Sequence, residues 1–361
     1  MPATATESAT TAALRPPASD SGRQFGAELT ALVLTLRPLG RFLRDPDITE
    51  ICINRPCSVF IETRSGWRQE AVPAIDFNWC CRFAKLLANH SHQRVDTSAP
   101  LLSASLPGGE RVQLVMPPAT SAGCVAISIR RPTAHLWSIQ ELSQAGIFRS
   151  ARRASGACDR VETQLVRLLA ANEFEAFMRL AVRSRRNILV SGPTGSGKTT
   201  WTKALIREIP ADERLITIED APELVLDRHP NHVRLFYSKD GQGVARVSPK
   251  QLIECCLRMK PDRILLAELR AEEAFDYLRS VNSGHPGSIT SVHATSAELA
   301  FEQLVLLVKQ TAPGRELSRA DIKDLLYLLI DVVVQFDVQQ RERYIREIWY
   351  EPSRKRCGQA A

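Results

Sequence analysis

The stretch Asn187-Ile-Leu-Val-Ser191-Gly192-Pro193-Thr194-Gly195-Ser196-Gly197-Lys198-Thr199-Thr200 decides how this 361-residue chain is read. Asn187–Ser191 is a compact apolar run of buried-strand type. A glycine-rich loop follows at once, and Lys198 to Glu208 opens a helical pattern. Strand, Gly-x-x-x-x-Gly-Lys-Thr loop and helix, in that order, are the context in which such a loop cradles phosphate. Gly192, Gly195 and Gly197 let the backbone turn its N–H groups inward, and the helix start adds partial positive charge. Pro193, Thr194 and Ser196 complete the cradle. Lys198 is the residue to reach the β- and γ-phosphates of a nucleotide, Thr199 offers a hydroxyl to Mg²⁺, and Thr200 sits near the α-phosphate. A cradle alone does not separate ATPase, GTPase, kinase and switch; downstream residues must.

Two acid-ending strands follow. Arg214-Leu-Ile-Thr-Ile-Glu219-Asp220 leads into Ala-Pro-Glu223, and Asp262-Arg-Ile-Leu-Leu-Ala-Glu268 is a Walker B shape with Glu where Asp is common. In an open parallel sheet, ligands gather beyond the carboxyl ends of the strands, so Glu219, Asp220 and Glu268 are expected to face the crevice of the glycine loop. Glu219 is the first choice for the water-activating base. Glu268 is the acid that holds Mg²⁺ or polarises the nucleophile, and Arg270 can anchor phosphate or a neighbouring carboxylate. Strand-end capping is the plain alternative for Glu219. Gly284-His-Pro-Gly-Ser-Ile-Thr-Ser-Val-His293 carries two histidines, of which His293 has the strand-end position expected of a γ-phosphate sensor.

Around these blocks the pattern divides the chain into a disordered tail at 1–24, an α+β domain at 25–146, a linker at 147–162, an α/β domain at 163–350 and a basic tail at 351–361. In the first domain, Phe25–Leu43 has helical spacing. Ile48–Ile53, Val59–Thr63, Leu101–Leu106, Arg111–Met116 and Cys124–Arg130 read as strands, with Gly108-Gly109 as a hairpin signal and Asp76–His90 as a helix. The second domain alternates helices with the strands Asn187–Ser191, Leu215–Glu219, Ile264–Glu268, Ile289–Val292 and Asp331–Phe336. That alternation argues for a doubly wound, mostly parallel sheet.

Composition excludes less than it permits. The hydrophobic share is 44% and the charged share 24%, which are ordinary for a globular chain. A net charge of +7 permits attraction to nucleic acid or an anionic membrane surface, but the clusters Arg152-Arg153, Arg183 to Arg186 and Arg354 to Arg356 carry no interleaved aromatics for base stacking. The nine cysteines show no Cys-x-x-Cys, so zinc-ribbon spacing is absent and reduced thiols are expected. Met1–Ser21 has no apolar core of a secretory signal, and the run Leu325–Phe336 is too short to span a bilayer. A cytoplasmic chain with at most peripheral membrane contact is expected.

Taken together, the blocks Gly192–Thr199, Thr217–Leu224, Met259–Arg270 and Gly284–Ala294 resemble the secretion traffic ATPases that power type II and type IV secretion and pilus machines. The stretch Glu272–Ser288, with Leu106–Val112 and Ile127–Pro132 in the first domain, looks most like the VirB-operon hexameric ATPase branch. The tetracysteine insertion usual in type II members is missing. Ala267 and Ala271 stand where the family commonly has glycine. The resemblance implies a RecA-like P-loop domain after a PAS-like domain, with ATP and Mg²⁺ as ligands. It also implies a hexamer with other secretion-system subunits as partners, peripheral at the inner membrane. Arg111, Arg130 and Arg131 are then candidates for γ-phosphate contacts. A pilus assembly or retraction ATPase, a nucleic-acid translocase and a small-molecule kinase are the rival readings; direct nucleic-acid binding stays open.

Overall fold

The computed structural model describes residues 29–132, 136–151, 160–238, 242–270 and 273–357. The expected tail at 1–24 and half of the expected linker, 152–159, lie outside them. Six strands of the first half, β1 (Glu50–Arg55), β2 (Ser58–Thr63), β3 (Gly66–Ala71), β4 (Leu101–Ser105), β5 (Arg111–Val115) and β6 (Ala126–Arg130), form one antiparallel sheet in the order β3-β2-β1-β6-β5-β4. The helix Phe77–His90 covers it, capped by Asp76, whose Oδ1 accepts from the Trp79 amide at 2.6 Å. Trp79, Phe83 and Leu87 recur every fourth residue and are buried in one cluster with Ile51, Ile53, Ile61, Leu114 and Ile127. β3 was not expected: Gly66-Trp-Arg-Gln-Glu-Ala is a polar edge strand with no apolar alternation to announce it. The expected helix Phe25–Leu43 is helical at 29–35, then interrupted around Pro38 by a 3₁₀ turn, Arg37–Leu39, and resumed in a short helix, Gly40–Arg44.

The second half carries β7 (Ile188–Ser191), β8 (Leu215–Glu219), β9 (His232–Phe236), β10 (Arg263–Leu266), β11 (Ile289–Val292), β12 (Val332–Gln339) and β13 (Glu342–Trp349). β10-β8-β9 and β11-β7-β12 are parallel, and β13 returns antiparallel at the edge. β10 and β11 lie side by side, joined by the Leu269 amide on the Ser291 carbonyl at 2.9 Å and by Ser288 Oγ on the Ile264 carbonyl at 2.7 Å. Successive strand residues feed two cores. Ile188, Val190, Leu215 and Leu265 pack with Phe177, Met178 and Ile206; Leu189, Ile216, Ile264 and Leu266 pack with Leu252, Tyr277, Phe301 and Leu304. Both faces are therefore covered by helices, which is why these strands read as unbroken apolar runs. The chain end is less loose than expected: Pro352–Cys357 is helical, with Lys355 Nζ on Asp331 Oδ1 at 2.6 Å and the Arg354 guanidinium 4.7 Å from the Tyr327 ring centre.

Several contacts join the halves. Fully buried Arg214 donates to Asn54 Oδ1 at 2.9 Å and Ser128 Oγ at 3.3 Å in the first half, and to Asn231 Oδ1 and the Met259 carbonyl in the second. Thr120 bridges antiparallel to Leu235, so the first half adds a short rung to the outer edge of β9. Lys260, which pairs with Glu62, adds a half-buried ion pair. Removing the buried cation orphans several acceptors at once. Arg214→Met is expected to cost about 3 kcal/mol or more of stability, read as a lowered urea midpoint; an unchanged midpoint would show that the buried contact contributes nothing.

Candidate functional site

The glycine loop lies where the topology predicts, at the carboxyl end of β7, between the ends of β11 and β12. A side chain at Gly192 would meet Phe336 Cβ and Ser196 Oγ at 2.8 Å, so only glycine fits beneath β12. Gly197 has φ +98° and forms the N-cap of the helix Lys198–Ile206, with no side chain capping it. The amides of that first turn are left for a ligand, and the dipole there favours an anion. Ser196 Oγ and Thr202 Oγ1 are buried without a hydrogen-bond partner, and both line the same cleft of about 350 Å³.

A row of polar groups crosses the strand ends above the loop. Lys198 Nζ donates to the Gly192 carbonyl at 2.7 Å and the Pro193 carbonyl at 3.0 Å, and lies 3.2 Å from His293 Nδ1. An ammonium can only donate, so Nδ1 is the accepting nitrogen and the ring proton sits on Nε2. Nε2 is 2.9 Å from Glu268 Oε1, off the line of a hydrogen bond, which leaves Oε1 without one. Glu268 Oε2 takes the Arg270 guanidinium, whose other arm reaches Asp220 Oδ2 at 2.7 Å. Desolvation pushes the Glu268 carboxyl up to about 7, against the pull of Lys198 and with Asp220, Glu223 and Glu273 adding to the rise. Desolvation also lowers Lys198, and desolvation with Lys198 and Arg270 lowers His293, which favours the neutral ring.

Of the residues singled out in the sequence, Thr194 to Thr200, Glu268, Arg270 and His293 line this one cleft. Glu219 does not. It is fully buried beneath the cleft, with Oε1 accepting from Thr217 Oγ1 at 2.6 Å and Arg234 Nε at 2.9 Å, and Oε2 from Arg234 Nη2 at 2.8 Å and the amides of Glu223 and Leu224 at 2.9 and 2.8 Å. A carboxylate holding five donors has no lone pair turned to a water in the cleft, so the base expected at this position is displaced. Glu223, three residues past Asp220, faces the cleft instead, its Oε2 3.4 Å from Thr199 Oγ1. Pro222 and the strand end were the available signals for that turn. Arg343 also lines the cleft from β13, a polar strand that nothing in the sequence connects to the loop. Arg111, Arg130 and Arg131 do not line it: Arg130 is 3.9 Å from buried Glu50, and Arg131 donates to the carbonyls of Asp45 and Ile48. Ala267 needs no positive φ, so the alanine is accommodated there; Ala271 lies outside the described residues.

Among the described residues no helix is long and apolar enough to cross a membrane, and no three His, Cys, Asp or Glu side chains are grouped to hold a metal by themselves. Cys52, Cys57, Cys80, Cys81, Cys124, Cys255 and Cys256 are free thiols. A mixed α/β sheet with a glycine loop and this cleft at its strand ends is the arrangement of a nucleotide-handling protein. The chain belongs to the type II/IV secretion system protein family, whose profile matches residues 35–357. It is 46% identical to the type IV secretion system protein VirB11 of Bartonella henselae, over 91% of this chain and 96% of that one. It is 47% identical to VirB11 of Brucella suis biovar 1, over 89% and 91%. The crystal structure of the VirB11 ATPase from the Brucella suis type IV secretion system, in complex with sulphate, superposes with a TM-score of 0.89 at 44% identity, over 93% of this chain and 98% of that one.

The raised Glu268 carboxyl gives a sign to the pH dependence of stability. The fold favours the protonated acid, so this stabilisation is complete below pH ~4.5 and is lost as pH rises through about 7. Glu268→Gln keeps the neutral form at every pH. Without nucleotide, the variant is expected to gain stability over the parent between pH 5 and 8, on the order of 1–2 kcal/mol at pH 8, in urea titrations at the two pH values; a difference that does not change with pH would refute the assignment.

Proposed function

We propose that this chain is the ATP-hydrolysing motor of a type IV secretion system, acting as a hexamer. Its RecA-like P-loop domain spans 163–350, and a PAS-like domain at 25–146 is joined to it by the linker 147–162. The observation that carries the reading is the row Lys198–His293–Glu268–Arg270 set across three strand ends over an uncapped helix start. The family match and the relatives named as type IV secretion proteins supply the biological setting. The reading includes other secretion-system subunits as partners and a cytoplasmic place peripheral to the inner membrane.

The chain's own residues divide the work as follows. The first-turn amides and Ser196 Oγ receive phosphate oxygens, and Lys198 exchanges two loop carbonyls for anionic oxygens, a charge-assisted bond of greater strength. Thr199 and Glu268 are the residues to hold Mg²⁺, which when bound neutralises charge on the β- and γ-phosphates. We read Glu268, rather than Glu219, as the acceptor of a proton from the attacking water; its carboxyl, pushed up to about 7 by burial, and its Oε1 without a hydrogen bond support this. His293 lies between Lys198 and Glu268, so movement of the lysine towards phosphate is felt at the acid. Arg270 holds Glu268 against Asp220 and keeps the acid oriented.

Lys198→Ala is expected to lower ATP turnover by about 10²–10⁴-fold with the fold intact by circular dichroism. Glu268→Gln is expected to bind a fluorescent ATP analogue as the parent does while hydrolysing about 10²–10⁴-fold more slowly. Parent-like turnover in Lys198→Ala would remove the cradle assignment; parent-like turnover in Glu268→Gln would pass the base to Glu223.

A further inference from the structure

Arg234 belongs to no block that the sequence reading singled out, yet it stands at the one place where the first half, the sheet and the acid loop of the cleft meet. It lies in β9, the outer strand of its sheet. The Arg234 carbonyl accepts from Thr120 Oγ1 at 2.9 Å, and the Phe236 amide donates to the Ala119 carbonyl at 2.9 Å, so the first half grips the backbone on both sides of Leu235. The Arg234 side chain turns the other way. Its guanidinium lies 5.3 Å from the Phe236 ring centre and makes a two-pronged pair with Glu219 at 2.9 and 2.8 Å. Glu219 Oε2 in turn holds the amides of Glu223 and Leu224, and Glu223 faces Thr199.

We propose that Arg234 is a positioning residue for hydrolysis: it locks Glu219 so that the 220–224 turn presents Asp220 and Glu223 to the nucleotide, and it makes that presentation depend on the docking of the first half. The inference rests on the ATPase reading above but adds a residue and a route to it. Three physical points carry it. Arginine's planar fork matches both carboxylate oxygens, which fixes the plane of the Glu219 carboxylate as a point charge would not. The pair is shielded from solvent, with Glu219 fully buried, so it is strong and its geometry narrow. The carboxylate so fixed accepts from two successive amides of the turn that borders the cleft, that of Leu224 alone and that of Glu223 shared with the Ala221 carbonyl at 2.8 Å. A shift of β9 against the first half moves Arg234, and the turn follows.

The test uses the full chain with Arg234→Lys, which keeps the charge beside buried Glu219 and so keeps the fold, and Thr120→Val, which removes only the hydroxyl bond to the Arg234 carbonyl. Hydrogen exchange followed by mass spectrometry reads the 219–226 segment without requiring turnover. In Arg234→Lys this segment is expected to exchange at least about tenfold faster, with the glycine loop unchanged, and in Thr120→Val by a smaller factor in the same segment. In the ATPase assay, kcat of Arg234→Lys is expected to fall about tenfold while the affinity for a fluorescent ATP analogue stays within about threefold, and Arg234→Lys with Glu219→Gln together are expected to lose no more than the worse single variant. Unchanged exchange at 219–226 in Arg234→Lys overturns the proposal, as does an unchanged kcat or losses that multiply in the double variant. Absence of ATP turnover in the parent chain would instead count against the ATPase reading, and the exchange data would still decide the role of Arg234.

Discussion

A parallel sheet buried on both faces leaves its polar chemistry nowhere to go but the strand ends, and that constraint organises the second half of this molecule. β7, β8, β10 and β11 are buried along their whole length. Their side chains alternate between two helical layers, so neither face can admit a ligand. The chain must leave the sheet at the carboxyl edge. There β7 turns into the glycine loop, and β10 and β11 release Glu268 and His293 within a few ångströms of Lys198. The cleft is thus a consequence of how apolar strands pack, and its charges share one edge because the parallel strands all end there.

Glu219 and Glu268 show how environment assigns roles to like residues. Each follows an apolar strand and ends in the same crevice region by topology. Glu219 is met by a two-pronged guanidinium, a hydroxyl and two amides, all donors, which satisfy both oxygens and hold the carboxylate in place. Glu268 meets one guanidinium on Oε2, a neutral histidine near Oε1 and three other acids in its surroundings, so burial and repulsion push its proton affinity up. The first environment makes a strut; the second makes a group that can exchange a proton near neutral pH.

Much of this was legible in the residues. The glycine loop, the strands around it and the doubly wound class follow from local pattern, because a buried parallel strand and a phosphate loop each leave a contiguous signature. The exchange of roles between Glu219 and its neighbours was not legible, because it depends on Arg234, fifteen positions later on a strand whose alternation is short and mixed. Arg343 was hidden for the same reason: β13 is polar, and only the antiparallel register of β12 with β13, in which Val338 lies opposite Arg343, brings it near the loop. β3 escaped because an edge strand needs no apolar face. In the first half, Arg131 shows the limit of a family likeness: its motif matches, while here its guanidinium is engaged by the carbonyls of Asp45 and Ile48.

The contact between the halves has two layers of different physical character. One is a deep polar knot, where Arg214 lies buried among Asn54, Ser128 and Asn231 and where Glu50 is raised to about 7 chiefly by burial. Such a knot resists sliding, because any shift leaves a buried cation short of acceptors. The other is the rung between Thr120 and Leu235 at the edge of β9, where backbone contacts lie over an apolar cluster that Val115, Ala119 and Ala126 share with Val233 and Leu235. The knot joins the amino-terminal ends of β8 and β10 to the first half, whereas the rung lies towards the carboxyl end of β9, the end nearest the cleft. Polar contacts thus hold the first half at both ends of this part of the sheet.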